Sequence, residues 1–140
     1  MSNVIVVGYD GTPGAEAALD EALRLAKDLG GSLVIAFSYE ISRLGGEVKD
    51  LADALRERGE GIVQTAMEKA GAAGVEAEAV HAEGGPADVL AELAEEREAR
   101  AIVVGTWGES PLKGAIVGAT PHKLLQISTV PVHVTPVTPD

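Results

Sequence analysis

The chain of 140 residues contains no cysteine, which excludes a disulfide framework and a thiolate-held metal alike. Aromatic side chains are scarce, at 3%, while hydrophobic residues reach 46%, so a core must be assembled from Val, Ile, Leu and Ala. That material suits helices packed on a parallel sheet. No apolar run approaches the ~20 residues of a membrane-spanning helix, and the first eight residues lack the basic start and long apolar stretch of a secretion signal. Cations are also few. Eleven Lys and Arg stand against 22 Asp and Glu, a net charge of −11, and nowhere do the basic residues cluster to neutralise a phosphate backbone. Neither nucleic acid nor membrane is an expected partner, and a soluble cytoplasmic protein is. The acidic excess repels a polyphosphate at long range, so an anionic ligand has to be held by local donors.

What is present is an alternation of strand and helix patterns. Asn3 to Val7 is a continuous apolar run, as befits a strand covered on both faces. Thr12 and Pro13 offer an N-cap and a first helical residue. Ala15, Ala18, Leu19, Ala22, Ala26 and Leu29 follow at helical spacing until Gly30-Gly31. Ser32 to Ser38 reads as a second strand. A long helix then ends near Gly71 to Gly74, with irregularity expected at Gly59 and Gly61, each costing up to ~1 kcal/mol relative to Ala. Val75 to Ala82 reads as strand three, and Pro86 opens a third helix. Ala101 to Val104 is strand four, Pro121 to Ile127 a last helix, and Val130 to Thr135 strand five. Such alternation implies βαβ units, a parallel sheet and right-handed crossovers.

Glycines mark the candidate chemistry. Strand four runs into Gly105, then Gly108, and a helical pattern follows Gly118. Glycine there lets main-chain amides approach a ligand, and a helix start adds orphan N–H donors, a candidate phosphate cradle. A Walker loop is absent, because Lys113 is followed by Gly114 and Ala115. Gly8, Gly11 and Gly14 are spaced too loosely for the dinucleotide fingerprint. With 17 glycines in the chain, spacing alone carries little weight, and loop glycines without a ligand are the bland alternative.

The segment nevertheless resembles the universal stress protein family, whose nucleotide motif is Gly, two residues, Gly, nine residues, then Gly followed by Ser or Thr. Both spacings hold at Gly105, Gly108 and Gly118. Val4 to Thr12 is similar to the family's opening strand and Asp-Gly-Ser turn, Glu83 to Leu90 to its Gly-x-Pro helix entry, and Val130 to Val134 to its closing strand. The resemblance implies an α/β fold: one Rossmann-like domain over residues 1–136 with a tail at 137–140, an open parallel five-stranded sheet of order 3-2-1-4-5, and helices on both faces. Ligands of such sheets sit where the strand order reverses.

The resemblance also implies ATP or a related adenine nucleotide as ligand, with any Mg²⁺ held through the phosphates and nothing covalently attached. Gly8 and Asp10 fall at the ribose and base end, Phe37 and Val104 beside the base, and Gly105, Gly108, Gly118, Ala119 and Thr120 at the phosphates. Read from the residues alone, Asp10 also suits a turn or helix cap, and Phe37 and Val104 suit the core. Ala119 departs from the family's Ser or Thr and removes a hydroxyl, which Thr120 is placed to replace or else caps the helix. Pro121 removes one amide donor. Lys113 is a candidate phosphate contact or a solvated loop lysine, and Trp107 a cover or a packing anchor.

His81, His122 and His133 are far apart in sequence and have no partner at metal-ligand spacing, so neither a metal site nor a catalytic residue is assigned. The expected function is nucleotide binding in a stress-response or regulatory role without efficient catalysis. The alternative is a dimeric interaction protein of the same fold whose nucleotide site has decayed. Strand five would be a sheet edge, and the resemblance implies a homodimer formed through Val130–Thr135.

Overall fold

The structure, a computed structural model, describes residues 3–40, 48–106 and 119–136, with side chains omitted for 48–52. Nine elements follow one another: β1 (Val4–Gly8), α1 (Pro13–Leu29), β2 (Ser32–Tyr39), α2 (Val48–Ala72), β3 (Ala77–Glu83), α3 (Pro86–Glu96), β4 (Ala101–Gly105), α4 (Ala119–Ile127) and β5 (Val132–Thr135). The strands form one sheet in the order β3-β2-β1-β4-β5. Every neighbouring pair is parallel, with Val6 facing Val34 on one side and Ile102 on the other.

The apolar runs are continuous because the sheet is covered twice. Ile5, Val7, Leu33, Ile35 and Val103 pack with α1 and α2. Their chain neighbours Val6, Val34, Ala36, Ile102 and Val104 pack with α3 and α4 on the opposite face. Alternation along each strand thus feeds two cores. Ile5, Val6, Val7, Ile35, Ile102 and Val103 are fully buried, each worth about 1.5–3 kcal/mol relative to exposure.

Helix α1 begins as its sequence dictates. Thr12 is the N-cap, its Oγ1 accepting from the Ala15 amide at 3.3 Å, with Pro13 in the first turn. Its end is Gly30 in the left-handed region at φ 65°. The expected irregularity in α2 does not occur: the helix runs unbroken from Val48 to Ala72. A Cβ on Gly59 would stand 2.6 Å from the Phe37 ring, so this glycine lets α2 lie close on β2 rather than breaking it. Strand β3 starts at Ala77, not Val75, because the Val75 amide is spent on the Ala70 carbonyl (2.9 Å) in closing α2. Strand β5 starts at Val132, not Val130. Ser128 Oγ donates to the Val130 carbonyl and accepts from its amide, folding that residue into the preceding turn. Helix α4 starts two residues earlier than Pro121, which places Ala119 and Thr120 within its first turn.

Candidate functional site

The sheet reverses direction of winding between β1 and β4, and a cavity of about 470 Å³ opens at their carboxyl ends. Its wall draws on β1 and the turn behind it (Gly8, Tyr9, Asp10, Thr12), on the end of β2 (Ala36, Ser38, Tyr39, Glu40), and on Val104–Thr106 after β4. Ala119, Thr120 and Pro121 of α4 close one side, and Gly84, Pro86, Val89 and Leu90 of the β3–α3 region close the other. Six of the expected site residues therefore meet here: Gly8, Asp10, Val104, Gly105, Ala119 and Thr120. Gly108, Gly118, Trp107 and Lys113 lie outside the described residues.

Phe37 does not line this cavity. Strand alternation turns it to the other face of the sheet, where it belongs to the α1–α2 core with its ring 6.1 Å from that of His81. Ala36 and Ser38, the residues on either side, face the cavity instead. Tyr39, Glu40 and Thr106 carried no sequence signal, since their places depend on how the ends of β2 and β4 meet across the sheet.

Asp10 has a structural occupation. Its Oδ1 accepts from both the amide (3.0 Å) and the hydroxyl (2.6 Å) of Thr12, and Thr12 in turn caps α1. Asp10 is exposed, and its Oδ2 has no bonded partner among the described residues. One carboxylate oxygen thus holds the turn while the other remains for a ligand.

Gly105 is a glycine for a reason other than ligand approach. A Cβ built there would lie 2.2 Å from the Gly14 carbonyl oxygen, so β4 and the first turn of α1 are in main-chain contact. Gly8 is less tight, with Leu90 Cδ1, the end of a flexible side chain, 3.0 Å from the position of a Cβ. Two strand-end amides are also committed: Tyr9 donates to the Ala36 carbonyl at 2.9 Å and Thr106 to that of Thr135 at 3.2 Å. The amides of Ala119 and Thr120 differ, because first-turn donors have no partner within their helix. Pro121, buried beside them, has no N–H, but a donor at that place would also be an orphan. Thr120 brings a hydroxyl to the same wall. As a residue of the first turn it is not the cap of a helix starting at Pro121.

The only charged side chains in the described lining are Asp10 and Glu40, both acidic. An anion is thus disfavoured near β1 and β2 and favoured at the α4 end, where the helix dipole is positive. Below the cavity a polar network joins α1 to α2. The Tyr9 hydroxyl donates to Glu16, and Lys69 lies 2.5 Å from Asp20 and 3.4 Å from Glu16. Burial, then the Glu16 carboxylate, pushes the Tyr9 phenol well above its usual range. The hydrogen bond to Asp20 raises the Lys69 ammonium above its ordinary value. Lys69 and its partners are about 40–56% exposed, so these ion pairs contribute less than about 1 kcal/mol. Among the described residues, no three His, Asp or Glu side chains gather as metal ligands, and no helix is long and apolar enough to cross a membrane.

Comparison with known proteins fits this architecture. The sequence profile of the universal stress protein family matches residues 1–136. Universal stress protein YxiE of Bacillus subtilis is 35% identical over 144 residues, covering 94% of this chain and 97% of its own. Among solved structures, that of MJ0577 superposes with a TM-score of 0.88 over 100% of this chain and 99% of its own, at 18% identity. A universal stress protein in complex with cAMP superposes at 0.78 with 29% identity, covering 97% and 98% of the two chains. The profile match and the identity to YxiE show that this chain is a member of the universal stress protein family.

Proposed function

We propose that the protein binds an adenine nucleotide, ATP or a relative of it, across the notch between β1 and β4. The anionic tail lies against the amides of Ala119 and Thr120, and the ribose hydroxyls bond the free oxygen of Asp10. Gly8 and Val104 flank the path between them, and Gly108 and Gly118 complete the phosphate end. The observation that carries the reading is the pairing of first-turn α4 amides with acidic side chains at the other end of one cavity. That polarity suits a molecule anionic at one end only. The relative solved with cAMP supports the same class of ligand. Any Mg²⁺ comes with the phosphates.

No general base or nucleophile faces the phosphate end among the described residues. The role we propose is that of a nucleotide-responsive regulatory protein of the cytoplasm, active in stress, without efficient turnover. It works as a homodimer through β5, the sheet edge, beside which Leu125 and Ile127 are 62% and 39% exposed. Titration of the purified protein with ATP, AMP and cAMP by calorimetry tests the reading, together with mass spectrometry of nucleotide carried through purification. Saturable binding below millimolar concentration is expected; none for any of the three rejects it. Sedimentation at micromolar concentration should give twice the chain mass.

A second reading, an interaction protein of this fold with a decayed site, draws on Gly105 itself. Since its missing Cβ is required by Gly14, the motif's first glycine would persist without a ligand.

A further inference from the structure

We infer that Glu40 determines which base the site accepts, its carboxylate taking a hydrogen bond from an amino group on the edge of the base. This inference rests on the nucleotide reading above and deepens it. Glu40 follows the last residue of β2 and lines the cavity on the side away from α4. Two strand spacings, roughly 10 Å, separate the β2 and β4 ends of the notch, a reach that a nucleoside monophosphate spans. With the tail on α4, the far end of the ligand arrives at Ser38, Tyr39 and Glu40.

Two neighbouring groups are already engaged. The Tyr39 carbonyl accepts from the Gly84 amide at 2.8 Å. Asp88 is paired with Lys123 at 2.9 Å. Glu40 has no hydrogen bond or ion pair among the described residues, and its Oε1 lies 3.2 Å from where a Cβ on Gly85 would stand. Gly85 is the N-cap of α3 and supplies no side-chain cap. The absence of a Cβ there leaves room for the Glu40 carboxylate at the cavity rim, beside the N-terminus of α3. An ionised carboxylate only accepts. It therefore favours a base that presents an amino group, such as the 6-amino group of adenine, over one that presents hydrogen or a carbonyl there. A purely structural role, shielding the α3 N-terminus, would alter stability and leave base preference untouched.

The test compares ATP with purine riboside triphosphate, which lacks the 6-amino group, by calorimetry on the full chain. The wild-type protein should prefer ATP about tenfold, the low end for a bond to a charged group because Glu40 is exposed. In Glu40→Ala the ratio should fall towards one, and Glu40→Gln, which still accepts but without charge, should lie between. If ATP binds and the ratio is the same in wild type and Glu40→Ala, Glu40 is not the reader and the nucleotide site stands. If neither nucleotide binds the wild-type protein, the inference and the site fall together.

Discussion

Replacing Gly105 by alanine tests the claim that main chain meets main chain where β4 ends. The new methyl would sit 2.2 Å from the Gly14 carbonyl oxygen, 2.5 Å from its carbon and 2.9 Å from its Cα. Ordinary contact begins at 3.4 Å, so α1 and β4 must part by about 1.2 Å locally. No flexible side chain can absorb this, because every clashing atom belongs to the backbone of a helical first turn. The turn is held by the Glu16 amide on the Thr12 carbonyl (2.9 Å) and by the Thr12 cap on Ala15, and Thr12 is tied to Asp10. Displacement of Gly14 is therefore passed to the cavity wall. Overpacking of this kind costs about 1–3 kcal/mol, which lowers the thermal midpoint by roughly 3–12 °C in a chain of this length. Scanning calorimetry without added nucleotide reads the loss, and nucleotide titration should show weaker binding as well. A midpoint within a degree of wild type would refute the packing argument. It would also return Gly105 to the simpler role of making space for a ligand.

Gly61→Ala is the contrasting substitution: a Cβ there meets nothing within 4 Å on an unbroken helix, so urea unfolding should show a gain of about 0.5–1 kcal/mol. Ala119→Ser restores a hydroxyl at the α4 entrance and should tighten ATP about tenfold or more; unchanged affinity would place residue 119 out of reach of the phosphates. Tyr9 supplies the pH dependence. Its folded-state value is raised, so its stabilisation is complete below the ordinary phenol value of about 10 and is lost as pH rises from there towards the folded value. Denaturant titrations between pH 10 and 12 should lose up to ~1.4 kcal/mol per pH unit through this group, and Tyr9→Phe should flatten the slope by that amount. An identical slope in the variant would mean the phenol ionises freely in the folded protein.

The order of elements was legible because it is encoded locally. Asn3 to Val7 read as a strand buried on both faces and Ala101 to Val104 as a short apolar strand, and Ile5 to Val7 and Ile102 to Val104 are buried. Thr12 and Pro13 announced the start of α1 by cap chemistry that needs no distant partner. The ends of elements were less legible, because they depend on competition for donors: Val75 closes α2 instead of opening β3, and Val130 bonds Ser128 before β5 begins. At the candidate site, Asp10, Gly105 and Ala119, expected from the likeness to the family's motifs, line one cavity. Phe37 lies in the α1–α2 core, the other place its sequence suited, because a position at a strand end does not reveal which face it occupies; Glu40 had no sequence mark at all.

The amino-acid sequence by itself determined two apolar faces on the three central strands, the helix entries and the glycine pattern, each a matter of neighbours within a few residues. Only the tertiary structure decided that Gly105 is bare because Gly14 presses on it, that Gly59 serves Phe37, and that Glu40 shares a cavity with Ala119. Those relations join residues distant along the chain, and they exist only once crossover packing has brought the strand ends together.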